Sequence, residues 1–107
     1  MTASEFDSMA DATLERIAQA LDESGADFDC EPKGDGVLEL EFADANRIIV
    51  NRQSAAQEIW VAAKSGGYHF RWNGSKWADT RHGGELFATL SKLVSGQSGS
   101  QVVLEGE

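Results

Sequence analysis

A single cysteine, Cys30, stands in the 107-residue chain, which excludes an internal disulfide and a zinc site built from cysteines. With no staple of either kind, packing must hold the fold. The N-terminus lacks a basic region and a long apolar run, carrying Glu5, Asp7 and Asp11 instead, so it reads as neither a secretory signal nor a membrane span. A cytoplasmic location is the expectation. No glycine pattern for phosphate binding and no Ser/His/Asp or Cys/His spacing is found, because the pairs Gly66-Gly67 and Gly83-Gly84 fit turns. A catalytic site of the chain's own is not expected.

Positive charge is the scarcest commodity where it matters. Residues 1–31 hold nine acids and one base, Arg16, for a net −8, whereas residues 32–107 hold nine acids and eight bases, for −1. Nearly all of the −9 total therefore sits in the first third. A field of that sign repels nucleic acid and anionic membranes and attracts cations and basic protein surfaces.

The length suits one domain of few elements. Phe6, Ala10, Leu14, Ile17 and Leu21 recur at helical spacing between a cap at Ser4, with Asp7 three residues on, and a stop at Gly25. From Asp27 the period drops to two, with Asp27, Asp29 and Glu31 on one face and Phe28 and Cys30 on the other. Strands follow at Val37–Phe42, Arg47–Gln53, Glu58–Lys64, Tyr68–Trp72 and Trp77–Arg81, with turns at Pro32–Gly36, Asp44–Asn46, Ser65–Gly67 and Asn73-Gly74. Leu86 to Val94 is helical again and stops at Gly96, and a frayed or loosely docked tail over 97–107 completes one domain spanning residues 1–107. The fold class is α+β: helix about 4–23, an antiparallel sheet of five or six strands over about 27–81, and helix about 85–95. Both helices cover one sheet face and leave the other open.

At 100° per residue, Asp7, Asp11, Glu15 and Asp22 fall within an arc of roughly 80° beside the apolar stripe. Together with Asp27, Asp29 and Glu31 they form a continuous carboxylate ridge whose mutual repulsion a bound cation relieves. These are hard oxygen ligands suited to iron, manganese, calcium or magnesium, with no histidine or cysteine on the same side, so metal capture is expected to be weak and multi-site. The same pattern also fits a plain solvated face. On Glu58–Lys64, alternation puts Trp60 on the polar side, where an indole meeting solvent marks an interface anchor unless the tail or a loop covers it. Asn51 and Gln53 share a face of the neighbouring strand, and Arg52 alternates away from them or ends the strand. Cys30 reads as a buried thiol, His69 and His82 share no ligand spacing, and Tyr68, Phe70, Trp72 and Trp77 read as packing.

Ser4-Glu5-Phe6, Asp27–Glu31, Val37-Leu38, Ile48–Gln53, Ile59–Ala62 and Ser65–Phe70 together resemble the bacterial frataxins over about Ser4 to Ser95. The run Asn-Arg-Gln, then Trp, then Gly-Gly-Tyr-His-Phe is the specific part. The resemblance implies a helix-sheet-helix sandwich and a cytoplasmic iron-binding protein of iron–sulfur cluster assembly. Such a protein would hold Fe2+ or Fe3+ at its surface as regulator or iron donor for a cysteine desulfurase and its scaffold protein. By position it places the acidic ridge on Asp7, Asp11, Asp22, Glu23, Asp27, Asp29 and Glu31, and a sheet-surface contact on Asn51, Arg52, Gln53 and Trp60. Around Ser24–Ala26 the chain is shorter and less acidic than such relatives, which leaves the number of iron sites open. A ferroxidase acting on the ridge and a metal-independent acidic inhibitor of the desulfurase are the competing expectations. Self-repulsion of the ridge favours a metal-free monomer.

Overall fold

A computed structural model describes residues 1–25, 28–43 and 45–106. The candidate ligand Asp27, the turn residue Asp44 and the last tail residue Glu107 lie outside the described residues. In chain order come helix α1 (Ala3–Ser24), strands β1 (Phe28–Pro32), β2 (Val37–Phe42), β3 (Arg47–Gln53), β4 (Glu58–Ala63), β5 (Gly66–Trp72) and β6 (Trp77–Asp79), and helix α2 (Leu86–Ser98). The six strands form one antiparallel meander in the order β1-β2-β3-β4-β5-β6, and the two helices pack on one face of it.

Alternation decides which side chains enter the core. Leu38 and Leu40 lie in register with Val50 and Ile48, and Phe42 with Phe28 of β1; Val50 in turn faces Val61, which faces Tyr68. These inward rows meet Phe6, Ala10, Leu14, Ile17 and Leu21 of α1 and Leu86, Leu90 and Val94 of α2. Most of this set is fully buried. Period-two and period-3.6 patterns thus converge on a single apolar layer.

The helix start differs from the sequence expectation. Thr2, not Ser4, caps α1: its hydroxyl accepts the Glu5 N–H at 3.1 Å while Glu5 accepts the Thr2 N–H at 2.7 Å. That reciprocal pair satisfies two amides otherwise left bare, and it holds the Glu5 carboxyl below its ordinary value. Ser4 is already inside the helix. At the other end Gly25 adopts φ 69°, the left-handed stop expected of it.

Three other boundaries move. The β4–β5 connection is Lys64-Ser65, since Ala63 lies opposite Gly66, so both glycines of the pair belong to β5. Trp72 faces Trp77, which makes the next loop four residues long; the Asn73 side chain accepts the Ser75 and Lys76 amides and fixes it. Strand β6 ends at Asp79, whose carboxylate accepts the Arg81 amide at 2.8 Å and so bends the chain away.

Helix α2 does not stop at Gly96 but runs to Ser98, capped by Glu85 at its start and by Gly99, φ 77°, at its end. The tail beyond is docked and not frayed. Val102 and Leu104 are 5% and 4% exposed, whereas Val103 between them points out at 66%. Ser95 Oγ accepts the Val102 amide at 2.8 Å and donates to its carbonyl, and Ser91 Oγ accepts the Leu104 amide at 2.8 Å. One turn of helix separates the two serines, and two extended residues separate the two amides. The hydroxyls therefore serve as the partner that a neighbouring strand would otherwise supply. Arg16 of α1 then donates to the Glu105 carbonyl at 3.1 Å, tying the tail's end to the other helix.

Candidate functional site

The carboxylates of the shoulder between α1 and the β1 edge are not equivalent. Asp7 and Asp11, near the start of α1, converge with Asp35 on one guanidinium, that of Arg52: Nη2 reaches Asp35 at 2.9 Å, Nε lies 3.8 Å from Asp7, and Nη1 donates to Asp11. Ser54 adds a hydroxyl to Asp7 at 2.8 Å. Farther along, Arg16 stands 3.6 Å from Glu23 and Lys33 stands 3.0 Å from Glu31. Asp22, Asp29 and Glu15 are exposed, and no described lysine or arginine lies within ion-pair distance of them.

Arg52 therefore does not share the surface of Asn51 and Gln53. Its neighbours in register, Ile59 and Phe70, are buried, so it projects to the helix side, where it reaches α1. Three carboxylates against one cation make it a brace between helix, sheet and the β1–β2 turn. Arg52→Ala is expected to lower stability by about 1 kcal/mol, read by urea denaturation, since exposed pairs contribute modestly but their loss leaves three acids unrelieved. An unchanged midpoint would show that the brace is ornamental.

Register adds acids that the sequence reading did not place on the ridge. Asp29 lies opposite Glu41 and Glu31 opposite Glu39, so the outward side of β1 and β2 is a patch of four carboxylates. Arg47 crosses to it, 3.2 Å from Glu39 and 3.8 Å from Glu41. The alternation of Val37, Glu39 and Glu41 was the available signal; it needed the pairing partner to be read as one surface.

Behind this patch Cys30 faces inward, half buried. Burial, then the nearby Asp22 charge, pushes its thiol above the ordinary value of 9.0. Since the folded thiol holds its proton more tightly than the unfolded one, this contributes stability up to about pH 9 and is lost as pH rises through the folded value. Iodoacetamide is expected to alkylate native Cys30 more slowly than free cysteine, with the free rate returning in denaturant. Equal rates in native buffer would place the thiol in solvent.

The open face of the sheet carries the second group. Asn51, Trp60 and His69 form one row across β3, β4 and β5, and Gln53, Glu58 and Arg71 form the next. The Trp60 ring stacks on His69 with centroids 4.3 Å apart and planes 9° from parallel. Its indole N–H donates to Glu58 Oε1 at 2.8 Å, while Arg71 donates to Glu58 Oε2 at 3.0 Å. Trp60 is partly buried: one ring face lies on His69 and the N–H is fixed, which leaves a rigid aromatic surface beside exposed Ile49 and Ala62. Glu58 shares the face of Trp60 by simple alternation, whereas His69 and Arg71 come from the next strand, and nothing in their linear spacing joins them to Trp60.

Carboxylates suit ferrous and ferric iron as donors. Among the described residues, however, no three His, Cys, Asp or Glu side chains stand close enough together to hold a metal ion. The unpaired Asp22, Asp29 and Glu15 fit such an ion only as separate, water-completed contacts. Among the described residues no helix is long and apolar enough to cross a membrane.

The fold is shared with known proteins. A frataxin-like domain model matches residues 1–100. The iron-sulfur cluster assembly protein CyaY of Dechloromonas aromatica is 54% identical over 104 residues, covering 97% of this chain and 99% of that protein. CyaY of a Janthinobacterium species is 52% identical over 110 residues, covering 98% and 97%. Among solved structures, the frataxin of Psychromonas ingrahamii superposes with a TM-score of 0.90 at 35% identity over 98% of this chain and 99% of that one. Trimeric frataxin of the yeast Saccharomyces cerevisiae, complexed with ferrous iron, gives 0.71 at 26% identity over 85% and 86%. The chain belongs to the frataxin-like family and is similar over nearly its whole length to bacterial CyaY proteins of iron–sulfur cluster assembly.

Proposed function

We propose that the protein is an iron-binding regulator or iron donor in bacterial iron–sulfur cluster assembly, working in the cytoplasm by binding and not by turnover. Its acidic shoulder docks on a basic patch of the cysteine desulfurase and holds iron loosely through Asp22 and Asp29. The Trp60 surface meets the adjoining scaffold protein. The observation that carries this reading is the set of exposed carboxylates without an internal cation at the α1–β1 shoulder, on a chain whose relatives are named cluster assembly proteins.

Charge steering is screened over a Debye length of about 8 Å at physiological ionic strength. Affinity for the desulfurase is therefore expected to fall several-fold between low and physiological salt, and Asp22→Asn with Asp29→Asn is expected to flatten that slope. Asp7→Asn is expected to change it little, because Arg52 already answers that charge. Calorimetric titration at a series of salt concentrations reads all three. A slope indifferent to Asp22 and Asp29 would remove the acidic shoulder from the interface. Oxygen uptake after anaerobic loading with Fe2+ checks the absence of turnover: saturable catalytic uptake would make the protein a ferroxidase.

A further inference from the structure

A groove of about 680 Å³ runs along the acidic side of α1, between that helix and the β1–β2 hairpin. Asp11, Glu15 and Ala18 form its helix wall, and Pro32, Gly34 and Val37 line the other. It exists because the residues that meet here are small or lack a side chain: alanine on the helix and glycines at the hairpin leave space that larger groups would fill. The walls are mostly apolar and the rim is acidic.

Beside one end of the groove, an arginine of the chain itself touches two of the residues that line it, Gly36 and Asp11. Arg52 lies so close to Gly36 that a Cβ there would stand 3.1 Å from the guanidinium carbon, and its charge is spent on Asp7, Asp11 and Asp35. Glu15, one helical turn beyond Asp11 on the same wall, is exposed and has no cation within ion-pair distance among the described residues. The groove at Glu15 thus repeats, empty, the combination of small residues and carboxylate that Arg52 uses beside it.

We propose that the vacant part of the groove takes the side chain of an arginine presented by the basic surface of the docking partner, a deepening that rests on the functional reading above. The aliphatic stem lies against Ala18, Pro32 and Val37, and the guanidinium pairs with Glu15. Arginine suits this place better than lysine, because its fork matches a carboxylate in two hydrogen bonds and its head is more weakly hydrated, so less is lost on entering a partly apolar slot. The slot adds to the long-range attraction of the shoulder a short-range requirement for one side-chain shape.

Nuclear magnetic resonance titration of the whole chain with butylguanidinium, and in parallel with methylguanidinium, tests this without any partner protein. Butylguanidinium is expected to shift the Ala18, Gly34 and Val37 amides saturably, with an affinity of roughly millimolar order, and methylguanidinium to give no saturation there. Glu15→Gln, a substitution at an exposed position, is expected to weaken the butyl probe about fivefold. Ala18→Leu, which fills the slot, is expected to abolish saturation while amide dispersion stays native. Equal responses to both probes, or a butylguanidinium response indifferent to Glu15→Gln, would overturn the slot and leave only diffuse attraction to the shoulder. Because the desulfurase is absent from this experiment, failure of the slot and failure of the docking reading show up separately.

Discussion

Deletion of Gln101–Glu107 is expected to lower the unfolding free energy by about 2–4 kcal/mol, which moves the thermal midpoint of a domain this size down by roughly 10–25 °C. Val102 and Leu104 are nearly fully buried, and each such side chain contributes about 1.5–3 kcal/mol when removed from water. Part of that sum is offset by the entropy of ordering the tail. Its absence uncovers apolar surface on α2, around Phe87, which Gly106 approaches so closely that an added Cβ would stand 2.6 Å from the ring. Substitution separates the contributions. Leu104→Ala is expected to cost about 2 kcal/mol or more, whereas Ser91→Ala and Ser95→Ala, which leave the Leu104 and Val102 amides without an acceptor, are each expected to cost about 1 kcal/mol. Urea denaturation of the four variants checks the order. A truncated chain as stable as the full one would mean that the docked tail contributes nothing.

Trp60→Ala is expected to weaken binding to the desulfurase–scaffold complex by about 30-fold, equivalent to about 2 kcal/mol, with little loss of stability. Rigidity is the reason for expecting so large an effect. The ring is stacked on His69 and its N–H is held by Glu58, which Arg71 anchors in turn, so a partner that covers it orders nothing further. His69→Ala removes the support but not the ring, and it is expected to cost about 1 kcal/mol of binding. The double variant is expected to lose little beyond Trp60→Ala, because the support has no purpose once the ring is gone. Equilibrium titration of the three variants decides: binding within twofold of the original for Trp60→Ala would take the open sheet face out of the interface.

Much of this architecture was readable from periodicity. Phe6 to Leu21 at helical spacing, and Leu38, Leu40 and Phe42 alternating with acids, left few ways to build a core, and the helices and six strands follow from them. What escaped were features that depend on pairing. Placing the β4–β5 turn on Ser65–Gly67 shifts the register and hides His69; with the turn on Lys64-Ser65, His69 falls directly opposite Trp60. The two turns differ by three positions of register, and such a slip moves every cross-strand neighbour, so His69 could not be joined to Trp60 and Glu58 from linear spacing.

The carboxylate ridge was legible as composition and only partly as geometry. Asp7, Asp11, Asp22, Asp29 and Glu31 were visible as acids on suitable faces, and Glu23 through the resemblance alone, but the pairing of Asp7, Asp11, Glu23 and Glu31 with cations was not. Arg52 is separated from Asp11 by 41 residues and comes from the inward side of its strand. Long-range ion pairs leave no local pattern in a sequence. The choice between a frayed and a docked tail stays open in the sequence for a related reason: Val102 and Leu104 are too few to announce burial, and their partners are two serines, residues that ordinarily suggest exposure.

The position of β1 at the border of the sheet has a consequence for solubility. An outermost strand presents bare amides and carbonyls to any extended segment that drifts past, the first step of sheet-to-sheet aggregation, and proteins blunt such borders with charge and proline. Here Asp29 and Glu31 supply the charge and Pro32 closes the run. A variant without these acids would lose the guard that keeps one molecule from growing onto the next.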